Sequence, residues 1–248
     1  MASAGISRAD AGRFVPDVSY LGPGGPKLDL YVPAFDVNGP LLPALVWIHG
    51  NNQTKDTARA QDFCGTLAAE GFVCASIDYG PGDWLASLLE CKNAIRFLRV
   101  NAATYHLDPA RIAVVGMSMG GYYALMAGLT AGGDFEPAKP YPGVSNAVGA
   151  IVDFCGVVQR APYSPPDFIR TGSPPILIVH GTADEKVSHE QSVRLDKALT
   201  AKGAKHQLIL LEGVSHGFDL SPGPGNPLPM DLRPVVVAFL RESLGAGK

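Results

Sequence analysis

The sequence lacks any marked excess of charge and any long apolar run. Its 20 lysines and arginines oppose 23 acidic residues, which gives a formal net charge of −3. The cations are scattered, so there is no basic surface of the kind that binds nucleic acid or anionic membranes, and we expect neither partner. No stretch reaches the roughly 18 consecutive apolar residues that a membrane-spanning helix needs. As written, the chain is expected to be soluble and cytoplasmic, or exported if a signal peptide has been removed.

Cysteine is also scarce, with 4 residues in the whole chain. Cys64, Cys74, Cys91 and Cys155 show no CxxC spacing, which argues against a metal site, and no metal or organic cofactor is implied. Their contexts are apolar or helical. We therefore expect buried free thiols, with a Cys64–Cys74 bridge as the alternative in an exported protein.

Repeats and low-complexity segments are absent from the sequence, and short apolar runs alternate with amphipathic stretches. The 248 residues are expected to form one domain, monomeric or homodimeric, with an N-terminal extension over 1–17. The patterns predict strands over 27–33, 44–50, 72–79, 111–116, 150–156, 174–181 and 206–213, and helices over 54–70, 83–104, 119–130, 188–202 and 231–244. This alternation predicts an α/β fold with a mainly parallel sheet, helices on both faces and ligands at the carboxyl ends of the strands.

Three segments rich in proline and glycine interrupt the alternation, at 132–146, 157–175 and 220–230. They follow on the strand-end side and carry four aromatic residues, Phe135, Tyr141, Tyr163 and Phe168. We expect them to roof a shallow pocket, with plain surface connections as the alternative. No separate helical lid domain is apparent.

The segment "RIAVVGMSMGGYYALMAG" places Ser118 between a predicted strand and a predicted helix. Gly116 and Gly120 remove side chains that would collide in a tight strand-to-helix turn, so Ser118 is predicted to stand clear of the sheet. The following helix terminus offers the free N–H of Met119 to a developing oxyanion. The pattern indicates a nucleophilic serine.

A serine nucleophile needs a base, and the base needs a carboxylate that fixes its tautomer. His216 in "GVSHGF" follows a predicted strand and is the candidate base. Asp184 in "VHGTADEKV" follows the preceding strand and is the candidate acid, with Glu185 and Asp153 as rivals. The chain order is then serine, aspartate, histidine.

From about residue 18 to 244 the chain resembles the α/β-hydrolases, on the segments "KLDLYVP", "LVWIHG", "CKNAIRFLRVNAATYHLDPARIAVVGMSMGG", "HGTADEKV" and "GVSHGF". It resembles in particular the compact bacterial esterases of the feruloyl and acetyl-xylan esterase type, relatives of the hormone-sensitive-lipase-like carboxylesterases and the kynurenine formamidases. The resemblance implies serine ester hydrolysis through an acyl-enzyme. Ser118 would be the nucleophile, His216 the base and then the acid, and Asp184 the residue that orients the base.

The chain departs from that family pattern at two places. Relatives usually follow "HG" with further glycines that supply part of the oxyanion hole, whereas Asn51 and Asn52 follow Gly50 here. Asparagine tolerates unusual backbone angles, so we expect Asn51, Asn52 and Met119 to form the oxyanion hole. Met119 stands where many relatives carry alanine and is expected to line the acyl pocket.

The substrate is expected to be a small-molecule or polysaccharide-linked ester with a small or aromatic acyl group, such as acetyl, feruloyl or a short chain. Tyr79, Trp84 and Tyr122 are candidates to stack on an aromatic acyl group, although core packing is the favoured interpretation of each. A formamidase of the kynurenine type, or a non-catalytic receptor on the same fold, remains as the alternative function.

Overall fold

The structure is a computed structural model that describes residues 9–10, 12–80 and 82–245. Its strands are β1 (Ala9–Asp10), β2 (Arg13–Ser19), β3 (Lys27–Val32), β4 (Phe35–Asp36), β5 (Leu42–Ile48), β6 (Val73–Ile77), β7 (Leu107–Met117), β8 (Ala150–Phe154), β9 (Ile176–Gly181) and β10 (His206–Leu211). Its helices are α1 (Ala58–Ala69), α2 (Trp84–Val100), α3 (Met119–Leu129), α4 (Glu190–Ala201) and α5 (Arg233–Leu244), with a short 3₁₀ helix at Pro165–Phe168.

Eight of these strands form one sheet in the order β10-β9-β8-β7-β5-β6-β3-β2. The pairs from β10 to β6 are parallel, whereas β3 and β2 join antiparallel at one edge. β1 and β4 form a separate antiparallel pair. The predicted mainly parallel sheet is therefore confirmed, and its carboxyl edge collects the loops that follow β5, β7, β9 and β10.

Strand β5 explains why the central runs are apolar at every position. Ala44, Val46 and Ile48 belong to one buried cluster, while Leu45 and Trp47 belong to a second on the opposite face. Successive side chains of a strand point to opposite faces, so a strand covered on both sides is apolar throughout. Helices α2, α3 and α4 pack into the first cluster, and α1 and α5 into the second.

All five helices are shorter than their apolar patterns predict, and in α1 and α2 capping residues set the ends. Thr57 is the N-cap of α1 and its hydroxyl accepts the Ala60 N–H, so the helix begins later than residue 54. Asp83 caps α2 by accepting N–H groups of Leu85 and Ala86, and the helix ends before Asn101 instead of at 104.

The predicted extension over 1–17 differs from the structure, because β2 begins at Arg13 and pairs with β3. A register shift between Val15 and Val18 interrupts the pairing, and Asp17 within it has a φ of 58°. β2 is an edge strand with mostly exposed or half-buried residues. A bulged, solvent-facing strand of this kind lacks the regular apolar alternation from which strands are predicted.

The cysteines divide into two kinds. Cys64 in α1 and Cys74 in β6 form a disulfide, so the expectation of free thiols is wrong for this pair and the alternative bridge is what the structure contains. Cys91 and Cys155 are buried free thiols, as expected. Among the described residues, no helix combines the length and the apolar character that crossing a membrane requires.

Candidate active site

Ser118 lies in a sharp turn between β7 and α3, with φ 59° and ψ −119°. No side chain would fit at the glycines two positions before and two positions after the serine. A Cβ on Gly116 would lie 2.1 Å from the Gly120 carbonyl oxygen, and one on Gly120 would lie 2.0 Å from the Ile48 carbonyl oxygen. Both positions therefore require glycine, and the serine is held in a backbone conformation that L-residues rarely adopt.

Ser118, His216 and Asp184 lie in one hydrogen-bonded chain. The His216 Nε2 atom is 3.0 Å from the Ser118 Oγ, and the His216 Nδ1 atom is 2.6 Å from the Asp184 Oδ2. With its proton on Nδ1, the imidazole donates to the carboxylate and keeps Nε2 free to accept the serine hydroxyl. This geometry is suited to removing the proton from Ser118 as that residue attacks a carbonyl carbon.

The carboxylate of Asp184 is buried and fixed by its own loop. Its Oδ1 accepts the N–H groups of Lys186 and Val187 at 2.9 and 2.8 Å. Burial alone would raise the pKa of Asp184, but these backbone donors and His216 more than offset it, so the pKa lies below its usual value. The buried His180 adds a further contact, because its Nε2 lies 3.2 Å from Oδ2.

Of the two rival carboxylates, Glu185 is exposed to solvent and Asp153 is wholly buried in β8. The Asp153 Oδ1 atom lies against α3 and the loop after β8, since a Cβ on Gly121 or Gly156 would come within 2.2 or 2.0 Å of it. Burial raises the pKa of Asp153 to about 7, a rise that the Gly156 backbone N–H reduces. Neither carboxylate is bonded to His216 in the structure.

The loop that carries His216 is held by residues that sequence reasoning missed. Asp219, three positions after the histidine, forms an ion pair with Arg59 of α1 at 2.8 Å. The Asn226 side chain accepts the Asp219 N–H at 3.2 Å and donates to the Ser221 carbonyl at 2.6 Å. Arg59 and Asp219 lie 160 positions apart, so no local pattern in the sequence could have revealed their contact.

The loop after β5 passes directly beside the nucleophile, since a Cβ on Gly50 would lie 3.3 Å from the Ser118 Cβ. The Gly50 N–H donates to the Gln53 side-chain oxygen at 3.3 Å and is therefore occupied. The next amide along the chain, that of Asn51, is then the candidate in this loop to donate to an oxyanion. Asn52 adopts a φ of 57°, a left-handed conformation that asparagine tolerates well.

A cavity of about 510 Å³ opens beside this loop. It is lined by His49, Gly50, Asn51, Asn52, Gln53, Thr54, Asp78, Tyr79, Gly80, Gly82, Ser87, Met119, Tyr123 and Arg160. Its size is that of a typical small-molecule site. All three residues expected to form an oxyanion hole, Asn51, Asn52 and Met119, line it.

The three aromatic residues expected to contact substrate have different surroundings. Tyr79 lines the cavity, but its ring stacks on His49 and its hydroxyl donates to the His49 carbonyl at 2.9 Å, so it supports the loop after β5. Tyr122 is only 1% exposed and its hydroxyl donates to the Tyr163 carbonyl, so it packs in the core, which corrects its candidacy as a residue that stacks on substrate. Trp84 packs on Phe135 and Tyr163 and is not among the described residues that line the cavity.

The three proline-rich and glycine-rich segments contribute unequally to the cavity. Segment 157–175 reaches it through Arg160. Its Tyr163 and Phe168 instead pack with Phe135 of the first segment. The third segment carries Asn226, which holds the histidine loop. Of the three segments, only the middle one contributes a described residue to the cavity lining. The expected roof is therefore limited to that segment.

One cluster of metal-ligand types occurs within the described residues, and it includes the proposed base. Ligand atoms of Cys155, Asp184 and His216 lie within 4.8 Å of one another. Burial raises the pKa of the Cys155 thiol to about 12, so it stays protonated and is a poor metal ligand. His216 and Asp184 already bond to each other, which suits the cluster to proton transfer.

Comparison with known proteins places the chain in a family. The BD-FAE family matches the chain over residues 28–163 and 159–199, which is more than half of its length. The chain belongs to the BD-FAE family. A curated relative, Esterase LipC of Mycobacterium tuberculosis, is 31% identical to this BD-FAE chain over 218 residues. The alignment covers 73% of the chain and 53% of LipC, so the chain spans about half the length of that relative.

Solved structures similar to this BD-FAE protein confirm the α/β-hydrolase fold. A truncated carbohydrate esterase from gut microbiota superposes with a TM-score of 0.80 and 27% identity, covering 94% of this chain and 96% of the other. Esterase 2 of Thermogutta terrifontis, phosphorylated by paraoxon, has a TM-score of 0.77 and 26% identity, with 96% of both chains covered. The described fold thus resembles that of proteins named as esterases.

Proposed function

We propose that the protein is a serine carboxylic-ester hydrolase that acts through an acyl-enzyme. The observation that carries the proposal is the hydrogen-bonded chain from the Ser118 Oγ through His216 to Asp184, with distances of 3.0 and 2.6 Å. Membership of the BD-FAE family and similarity to proteins named as esterases support it. An intact chain of this kind disfavours the alternative of a non-catalytic receptor, which would have no need of it.

The reaction begins when His216 takes the hydroxyl proton of Ser118 and the serine oxygen attacks the ester carbonyl carbon. The N–H groups of Met119 and Asn51 hold the resulting oxyanion, each contributing on the order of 3 kcal/mol to the transition state. The C–O bond to the alcohol breaks, and His216 returns the proton to the leaving oxygen. Water then attacks the acyl-enzyme with the same base and restores Ser118.

The proposed substrates are small-molecule or polysaccharide-linked esters with small or aromatic acyl groups. The Met119 side chain lines the cavity beside the nucleophile and gives it a flexible apolar wall. The cavity of about 510 Å³ is large enough for an aromatic acyl group. Amide hydrolysis of the formamidase type uses the same residues and is therefore tested alongside.

The test is hydrolysis of p-nitrophenyl acetate, butyrate and octanoate, methyl ferulate and N-formylkynurenine by the wild type and by Ser118→Ala. We expect turnover of one or more esters by the wild type and none by Ser118→Ala, while the matched control Ser188→Ala, at an exposed serine, retains the wild-type rate. Turnover confined to N-formylkynurenine would favour the formamidase.

Covalent labelling tests the nucleophile without depending on the choice of substrate. Paraoxon should phosphorylate the peptide that contains Ser118, as detected by mass spectrometry, and should leave Ser118→Ala unmodified. A phosphorylated wild type that turns over none of the esters would indicate a reactive serine with an untested substrate class. An unreactive Ser118 together with inert esters would contradict the proposal.

A further inference from the structure

The loop after β8 carries one cation into the cavity and holds it in place. The Val158 and Gln159 N–H groups both donate to the Gln191 side-chain oxygen at 2.9 Å, which ties the loop to α4. The Arg160 N–H donates to the Ser164 Oγ at 3.2 Å, and that hydroxyl donates back to the Arg160 carbonyl. The backbone on both sides of Arg160 is therefore fixed.

The Arg160 side chain is half-buried and has no acidic partner among the described residues. Its guanidinium lies over the ring of Tyr122, with 5.3 Å from the guanidinium carbon to the ring centroid. That ring is itself buried and immobilised. A contact with a ring face orients the cation, and no described residue accepts a hydrogen bond from its five N–H donors.

Charge on the cavity wall is otherwise limited to one carboxylate, that of Asp78, among the described lining residues. The Asp78 Oδ1 accepts the Lys55 N–H at 2.8 Å, so this acid already has a partner in the protein. Burial lowers the pKa of His49, which keeps that neighbouring ring neutral. Among the described lining residues, Arg160 is thus the charged group whose hydrogen-bond donors remain available to a ligand.

We propose that Arg160 binds a carboxylate carried by the substrate, so that the enzyme prefers acidic esters to neutral esters of the same size. The planar guanidinium matches a carboxylate with two parallel hydrogen bonds, and partial burial strengthens the pair. The carboxylate belongs either to the acyl part, as in a half-ester of a dicarboxylic acid, or to the alcohol part, as in an acylated hydroxy acid or uronic acid. This inference rests on the proposed esterase function.

The experiment compares matched acidic and neutral esters. For the acyl side, the pair is p-nitrophenyl hydrogen adipate and its methyl ester. For the alcohol side, the pair is p-acetoxybenzoate and its methyl ester. The measured quantity is the ratio of kcat/KM for the acidic ester to that for the neutral ester, compared between wild type and variants so that intrinsic reactivity cancels.

In Arg160→Met we expect that ratio to fall about tenfold or more for one of the two pairs, because a charge-assisted hydrogen bond is lost. Arg160→Lys should recover part of the preference. The control Arg170→Met removes the same charge from the same segment, at an exposed arginine paired with Asp134, and should keep the wild-type ratio. An unchanged ratio in Arg160→Met for both pairs would overturn the inference while leaving the esterase proposal intact.

A binding measurement separates this inference from the proposed activity. p-Acetamidobenzoate is an amide analogue of p-acetoxybenzoate, and suberate monoamide presents a carboxylate on an acyl-like chain. Calorimetry with both compounds should show weaker binding to Arg160→Met than to wild type for at least one. Should every ester prove inert, weaker binding would still support the carboxylate site, and equal binding of both compounds would refute it.

Discussion

Gly120, at the start of α3, lies so close to the carbonyl oxygen of Ile48 in β5 that an added Cβ would be 2.0 Å from it. This contact joins the helix that follows the nucleophile to the strand that leads into the proposed oxyanion loop. The obstructing atom belongs to the backbone of a central strand and cannot move as the end of a side chain would. The position of Ser118 relative to Asn51 therefore depends on the absence of a single methyl group.

Gly120→Ala is expected to lower the melting temperature and to abolish hydrolysis, since overpacking by one carbon typically costs about 1–3 kcal/mol and a backbone clash costs more. The matched control is Gly65→Ala in α1, where nothing lies within 4 Å of the added Cβ. That substitution should stabilise the protein by about 0.5–1 kcal/mol. Thermal melts and p-nitrophenyl acetate hydrolysis measure both effects. A Gly120→Ala protein with wild-type stability would refute the close approach.

Asp184→Asn is expected to reduce kcat by about ten-thousand-fold, because an amide no longer fixes the reactive tautomer of His216. Its neighbour Glu185 is exposed, and Glu185→Gln should change kcat less than about twofold. Steady-state kinetics on one ester, with both variants shown to be folded, decide which of the two carboxylates is the catalytic acid. The acid would have to be reassigned if Glu185→Gln were the more damaging change.

Asp153 should make the stability of the protein depend on pH. Its pKa is about 7 in the folded protein against an ordinary value of 3.8, so the folded state binds more protons than the unfolded state between those values. Asp153 therefore stabilises the folded protein fully below pH 3.8, and this stabilisation is lost as pH rises through about 7. The loss is at most about 1.4 kcal/mol per unit of pKa shift.

Urea unfolding of the wild type and Asp153→Asn, at about pH 5 and about pH 8, measures this effect. The stability of the wild type relative to the variant should be lower at the higher pH. Asp184, whose pKa is shifted the other way, is present in both proteins and cancels in the difference. Asp167→Asn, at an exposed aspartate, is the control and should track the wild type at both values. A difference between wild type and Asp153→Asn that does not change with pH would contradict the assigned pKa.

Arg59→Met should slow catalysis although Arg59 lies outside the triad. Without the ion pair to Asp219, the loop that carries His216 loses one of its anchors, and we expect kcat to fall about tenfold with little change in KM. Arg59→Lys should restore part of the rate. As a control, Arg241→Met breaks an exposed pair with Glu70 and should leave kcat unchanged. A rise in KM alone would argue that Arg59 does not position the base.

The regular elements and the candidate triad were accessible from sequence because both follow short local patterns. Strands such as β5 and β9 are continuous apolar runs, and each ends at a glycine or polar residue that marks the carboxyl edge of the sheet. Ser118, Asp184 and His216 are predictable because each lies directly after, or a few positions after, a strand that ends at this edge. β2 was missed because its bulge and its exposed edge position leave no periodic signal.

The features that surround the triad were not accessible, because they depend on contacts between distant segments. The ion pair of Arg59 with Asp219 and the contact of Arg160 with Tyr122 leave no trace in spacing or periodicity. Sequence patterns likewise left Tyr79, Trp84 and Tyr122 equally open to core packing, and it is the packing around α3 that buries Tyr122. Tertiary packing, rather than residue type, decides which aromatic side chains reach the cavity.

The order of the strands links catalysis to the completion of folding. Ser118 and His216 are 98 positions apart, and they meet only when β9 and β10 have been added to the sheet beyond β8. During refolding from denaturant, recovery of ester hydrolysis should therefore not precede addition of β9 and β10 to the sheet, and a ribosome-bound chain that has not yet emerged as far as β10 would hold an unactivated serine. Activity of the proposed esterase would then report that β9 and β10 have joined the sheet.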